Sequence, residues 1–136
     1  MKTKFVIKKI ALMLMLFIVS INGYAQSASD SLLKRNTKVY IVASDSRSIE
    51  YGQDAIRGWN YWQIVDKQSD ADAVVNFKIR ACSIGEHKGH IEITDAKTNE
   101  LILKTKVFNT ALKGRWDTKR ACVENLVNKR LIPMIE

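Results

Sequence analysis

Residues 73–82 alternate without interruption between an apolar set, Ala73, Val75, Phe77, Ile79 and Ala81, and a second set, Val74, Asn76, Lys78, Arg80 and Cys82. Side chains alternate across a strand, so this period of two predicts extended chain with one buried and one wetted face. A sheet of that kind needs cover on one side only. The rest of the chain must therefore supply neighbouring strands and amphipathic helices.

It does so in a readable order. Lys38 to Ala43, with Val39, Tyr40, Ile41 and Val42, is a short β-rich run closed by the turn and cap residues Ser44-Asp45-Ser46. From Ser48, positions Ile49, Gly52, Ile56 and Trp59 recur at helical spacing, with Glu50 in the first turn and Gly58 closing the segment. Tyr61 to Asp66 reads as a second short strand, followed by the polar turn Lys67-Gln68-Ser69-Asp70 and then the long alternating strand, which begins at Ala71. Ser83 to Gly89, with two glycines, turns the chain into a strand over His90 to Thr94, which carries Ile91 and Ile93 on one face. The segment 95–100 is a tight hairpin with Asn99 suited to a left-handed position, and Leu101 to Phe108 completes a three-strand meander. Asp117 caps a last helix whose stripe is Val123, Leu126, Val127 and Leu131, with Pro133 ending it and Trp116 packing ahead of it as a staple. The fold class expected is α+β: a two-layer α/β sandwich with a mixed, mostly antiparallel sheet in the order β-α-β-β-β-β-α, both helices on one face.

The N-terminus predicts export. Lys2, Lys4, Lys8 and Lys9 precede an apolar run from Ile10 to Ile21, and Gly23 and Ala25 stand where a signal peptidase needs small residues. That run is short of the ~20 apolar residues a membrane-spanning helix requires. Residues 1–25 are thus read as a cleaved signal peptide, 26–36 as a flexible lead-in and 37–136 as one domain. Cleavage would leave 111 residues (136 less 25), with a net charge of +4 once the four signal lysines are taken from +8. That is an ordinary charge for a soluble domain and no nucleic-acid signature. The expected location is the periplasm or the exterior, soluble or peripherally attached, with no transmembrane segment in the mature chain. The first cysteine is Cys82, far from the cut, so the chain is not read as a lipoprotein.

The runs Trp-Gln-Ile-Val-Asp (62–66), Ser-Asp-Ala-Asp-Ala-Val-Val-Asn-Phe-Lys-Ile (69–79) and Ile-Thr-Asp-Ala-Lys-Thr-Asn-Glu-Leu-Ile (93–102) resemble a group of small bacterial envelope domains. The group includes the TolB N-terminal domain, the penicillin-binding-protein activator LpoB and related secreted domains. In it a helix leads to a strand announced by Ala-Asp-x-Val and then to a hairpin reading Asp-x-x-Thr-Gly. Here Asn99 stands where the group has Gly. The resemblance covers residues 37–132 and implies this fold and a binding role in the envelope.

Nothing in the sequence assembles a nucleophile with a base and an orienting group, and no phosphate loop or cofactor motif is present; no cofactor is expected. The two histidines, His87 and His90, fall in or beside the predicted turn near Cys82, Glu86 and Glu92. They read as solvated turn residues or, in the alternative, as the centre of a small metal-dependent or hydrolytic enzyme. Asp70 and Asp72 read as turn residues. Cys82 and Cys122 could bridge in an oxidising compartment, but alternation sends Cys82 away from the helices, so a disulfide is not expected unless a bulge intervenes. Lys78 and Arg80 from one strand, and Lys104 and Lys106 from another, would share the outer face, with Asn76 and Phe108 beside them. Such a strip is either ordinary solvated charge or a surface for an anionic partner. Trp59 reads as core; Tyr61 and Trp62 are either core or a stacking platform for a sugar or peptide. The function expected is non-enzymatic: an envelope binding or accessory domain whose partner is an envelope protein or an anionic envelope polymer and not nucleic acid. A structural subunit pairing through an edge strand is the further alternative.

Overall fold

The computed structural model describes residues 33–110 and 117–136. The expected signal at 1–25, lead-in positions 26–32 and Trp116 lie outside the described residues. Residues 33–36 join the fold: Leu33 packs against the core, and the Asn36 N–H donates to the Tyr61 carbonyl at 2.7 Å.

The alternating stretch forms strand β3 (Ala73–Ser83), the centre of a six-stranded sheet with β1 (Lys38–Ala43), β2 (Gln63–Ile64), β4 (Glu86–Asp95), β5 (Leu101–Lys104) and β6 (Phe108–Thr110). The order is β2-β1-β3-β4-β5, with β6 also paired to β4. β1 runs parallel to β2 and β3, and the β4 pairings are all antiparallel. Helices α1 (Ser46–Trp59) and α2 (Thr118–Leu126) cover one face, where Val39, Ile41, Val75, Phe77, Ile91 and Ile93 meet Ile56, Val123, Leu126 and Leu131 in one core. The α+β class read from the sequence holds.

Local chemistry moves several boundaries. The first helix starts at Ser46, because the Asp45 carboxylate accepts from the Ser48 N–H at 2.9 Å, so Glu50 lies beyond the first turn. It does not stop at Gly58; Asn60, at φ 55°, is the left-handed cap. The second strand shrinks to Gln63–Ile64. The turn after β3 is only Ile84-Gly85, with Gly85 at φ 74°, so residues 86–89 belong to β4. Gly89 is a strand residue: a Cβ there would stand 2.4 Å from the Lys78 carbonyl oxygen. Asn99 does adopt the left-handed conformation, at φ 61°.

The expected single strand 101–108 is two. Thr105 is buried in the break between them, and its Oγ1 accepts from the Ile91 N–H at 2.9 Å. The parity of the strand changes across that break, and Phe108 packs toward the core instead of beside Asn76. Pro133 does not end the last helix either. A wide π-type turn over Val127–Leu131 leads without interruption into α3 (Ile132–Ile135), so the chain stays helical through Pro133.

Candidate functional site

The outer face of the sheet is covered by no helix among the described residues. Cross-strand register sets its chemistry: Asn76 stands opposite Glu92 and Glu92 opposite Lys104; Lys78 stands opposite His90; Arg80 stands opposite Lys88. Lys78, Arg80 and Lys104 thus share this face as the alternation predicts. Lys106 does not continue the row. It lies in the break, and Val107, 55% exposed and next to inward-facing Phe108, takes the outer position.

Glu92 is the acid of the strip. It lies 3.0 Å from His90 Nε2, 3.9 Å from Lys104 Nζ and 4.0 Å from Lys78 Nζ. The hydrogen bond from His90, followed by the attraction of Lys78, holds its carboxyl below the usual carboxylate range. Arg80 and Lys88 are different. They face each other directly, and among the described residues neither has a carboxylate within ion-pair distance. Like charges opposed across a ladder destabilise it.

Beside these cations runs a groove of about 640 Å³, starting where β1 ends at Val42–Ser44 and crossing β3 and β4 to Val107. Lys78, Arg80, Lys88 and His90 line it. The sequence reading missed Lys88, His90 and Val107. Ile84-Gly85 as a two-residue turn would have exposed Lys88, since β4 then begins at Glu86 and Lys88 joins His90 and Glu92 in alternating outward, whereas Val107 follows from the break at Thr105.

The histidines are strand residues, not turn residues. Three positions apart on a strand, they point to opposite faces. His87 Nδ1 is 2.7 Å from Thr118 Oγ1 under the helices, and His90 is on the outer face with Glu92. They cannot share one ion, and among the described residues no three His, Cys, Asp or Glu side chains gather as metal ligands.

Cys82 is exposed, at the irregular step between Ala81 and Ser83, and Cys122 is buried; both are free thiols. Cys122 donates to the Phe108 carbonyl at 3.8 Å, and burial pushes its thiol up to about 11.

At the aromatic corner Trp62 is core, 5% exposed. Tyr61 stacks on Trp59, centroids 4.7 Å apart and planes 14° from parallel, and Arg35 lies 5.0 Å from the Tyr61 ring centre. Trp59 in turn donates to Glu136 at 3.1 Å. These rings serve each other, and the platform reading of Trp62 is lost to burial.

No protein-family model matches the chain, and no curated protein matches it. Among solved structures it is similar to the PelC dodecamer from Paraburkholderia phytofirmans, at 12% identity over 75% of this chain and 89% of that one, with a TM-score of 0.49. It is similar to the LpoB C-terminal domain from Salmonella enterica, at 9% identity, 64% and 94% coverage and a TM-score of 0.44. Lipoprotein GNA1162 from Neisseria meningitidis is a third, at 9% identity, 68% and 95% coverage and a TM-score of 0.43. The LpoB group that the sequence resembles is thus also among the structural neighbours.

Proposed function

We propose that this protein is a non-enzymatic binding or accessory domain of the bacterial cell envelope, and that it holds an anionic partner on the basic outer face of its sheet. The observation that carries the reading is the opposed pair Arg80 and Lys88, unrelieved by any carboxylate among the described residues and set in a groove with Lys78. A fold that needed only solubility would alternate signs across the ladder, as it does around Glu92. The export signal expected at residues 1–25 supports a location in the periplasm or outside the cell. No helix of the described residues is long and apolar enough to cross a membrane. A binding role, and not hydrolysis at His87, fits a histidine held against Thr118 beneath the helices. The partner is an envelope protein or an anionic envelope polymer.

The test is binding of inorganic polyphosphate at low and moderate salt by the native protein and by an Arg80→Glu, Lys88→Glu variant. Binding that falls at least ~10-fold in the variant, with an unchanged circular dichroism spectrum, supports the reading; each salt-linked contact also makes affinity fall with ionic strength. Equal affinity retires this face. Lys106→Glu serves as the control and leaves binding within ~2-fold, because Lys106 is outside the row.

A further inference from the structure

β3 outruns its parallel neighbour. Pairing with β1 stops at Ala43 opposite Phe77, whereas pairing with β4 continues to Ser83. The main-chain direction along this overhang follows from one contact. Ile91 turns both polar groups toward the break after β5: its N–H reaches Thr105 Oγ1 and its carbonyl accepts from the Thr105 N–H, each at 2.9 Å. Its cross-strand partner Phe77 must therefore turn its own N–H and C=O the other way, to β1. By the period of two, Ile79 and Ala81 do the same, beyond the point where β1 has ended. Among the described residues no main-chain hydrogen bond outside the ladders reaches Ile79 or Ala81. An open length of strand edge therefore borders the groove, and the side chains projecting outward along it are Lys78 and Arg80.

We infer that this edge is a strand-addition site, and that its occupant is an extended polypeptide segment with acidic side chains at alternate positions. The inference rests on the reading of the basic face and names its partner's class. A segment laid beside β3 beyond Ala43 continues the place of β1 in the sheet and gives Ile79 and Ala81 the hydrogen bonds they lack. Every second side chain of that segment then stands on the outer face beside Lys78 and Arg80, next to the unrelieved Lys88. Carboxylates there neutralise the cations; a neutral or basic strand would leave or worsen the repulsion. Neither a free polyanion nor a lipid headgroup would use the main-chain groups of Ile79 and Ala81.

The experiment uses the protein expressed from its full chain and a fluorescent peptide of alternating glutamate and threonine. Three further probes accompany it: the same peptide methylated on alternate main-chain nitrogens, inorganic polyphosphate, and phosphatidylglycerol vesicles. The protein variant is Ala81→Pro, which deletes an N–H that the β3–β4 ladder does not use. The expected result is that the peptide binds and that methylation weakens it at least ~10-fold. Ala81→Pro weakens it by a similar ~10-fold while polyphosphate binding is unchanged. Should the proline variant fail to fold, the methylated peptide on the native protein decides alone. Peptide binding indifferent to methylation overturns strand addition and leaves the basic face standing. Binding of vesicles or polyphosphate without the peptide does the same. If no probe binds, the inference and the reading beneath it both fall.

Discussion

A Cβ on Gly52 would stand 2.6 Å from Cε2 of the Phe77 ring. Helix α1 therefore approaches the centre of β3 at a place where only hydrogen fits, and the ring that fills this contact is fully buried. As a helix-interior residue Gly52 looks like a weakness that alanine would mend by ~1 kcal/mol. The contact reverses the sign. Gly52→Ala is expected to destabilise by ~1–3 kcal/mol net, since the ring cannot give way without displacing Ile56 or its strand neighbours. Urea unfolding checks this, and adding Phe77→Leu to the same protein should recover part of the loss. A more stable Gly52→Ala protein would show that the helix and sheet stand farther apart.

Thr105 is the pivot between β5 and β6. Its hydroxyl oxygen replaces a strand carbonyl as the acceptor for the buried Ile91 N–H. Thr105→Val keeps the shape and removes the acceptor, at an expected cost of ~1–3 kcal/mol for the orphaned donor. Thr105→Ser should cost less than half of that. The Ile91 amide, followed by hydrogen exchange, should lose protection in the valine variant more than its neighbours on β4.

These two sites mark what could be read in advance. The period of two in 73–82 and the helical stripes fix their elements without tertiary knowledge, and so the two-layer class was legible. What failed were features set by contacts distant in sequence. Thr105 breaks a strand because Ile91 needs an acceptor, and no local propensity records that. Phe108 and Lys106 were assigned faces by counting through the break, so both went astray, while Lys104, ahead of it, was placed correctly. One turn hid part of the candidate site: reading 83–89 as loop removed Lys88 from the outer face, although Gly85 alone supplies the positive φ that the hairpin needs. Trp62 could not be assigned because a two-residue strand has no periodicity to count.

Acid should weaken the fold through its two helix caps. The Ser48 N–H above all holds the Asp45 carboxyl below its ordinary range, and the Tyr51 hydroxyl, at 2.6 Å, chiefly does so for Asp117. Groups with lowered folded values stabilise when ionised, so their contribution is complete above the ordinary carboxylate range. It is lost as pH falls through that range to the folded values. The urea midpoint is expected to be flat from about pH 7 to 5 and to drop below about pH 4. Tyr51→Phe removes the main cause at Asp117 and should move its titration, followed by NMR, upward toward the ordinary value. An unmoved titration would show that the Arg120 N–H, 2.9 Å away, does the work instead.

Glu92 gives the basic face a prediction of opposite sign to the charge reversals. It sits beside His90 and between Lys78 and Lys104, and cancels part of the lysines' field. Glu92→Gln keeps a hydrogen-bonding group but removes that negative charge, so the face becomes more positive. If the face is where anions bind, the variant should hold polyphosphate ~2–5-fold more tightly at low salt, with the gain fading as salt rises. Stability should fall only slightly, because both lysines are more than half exposed, at 51% and 56%, and such pairs contribute ~1 kcal/mol or less. The comparison isolates charge from shape, since glutamine and glutamate occupy nearly the same space. Tighter binding by Glu92→Gln together with weaker binding by the Arg80 and Lys88 reversals would place the anion on this face from two directions. Weaker binding by Glu92→Gln would mean that the acid itself contacts the ligand or that the anion site lies elsewhere.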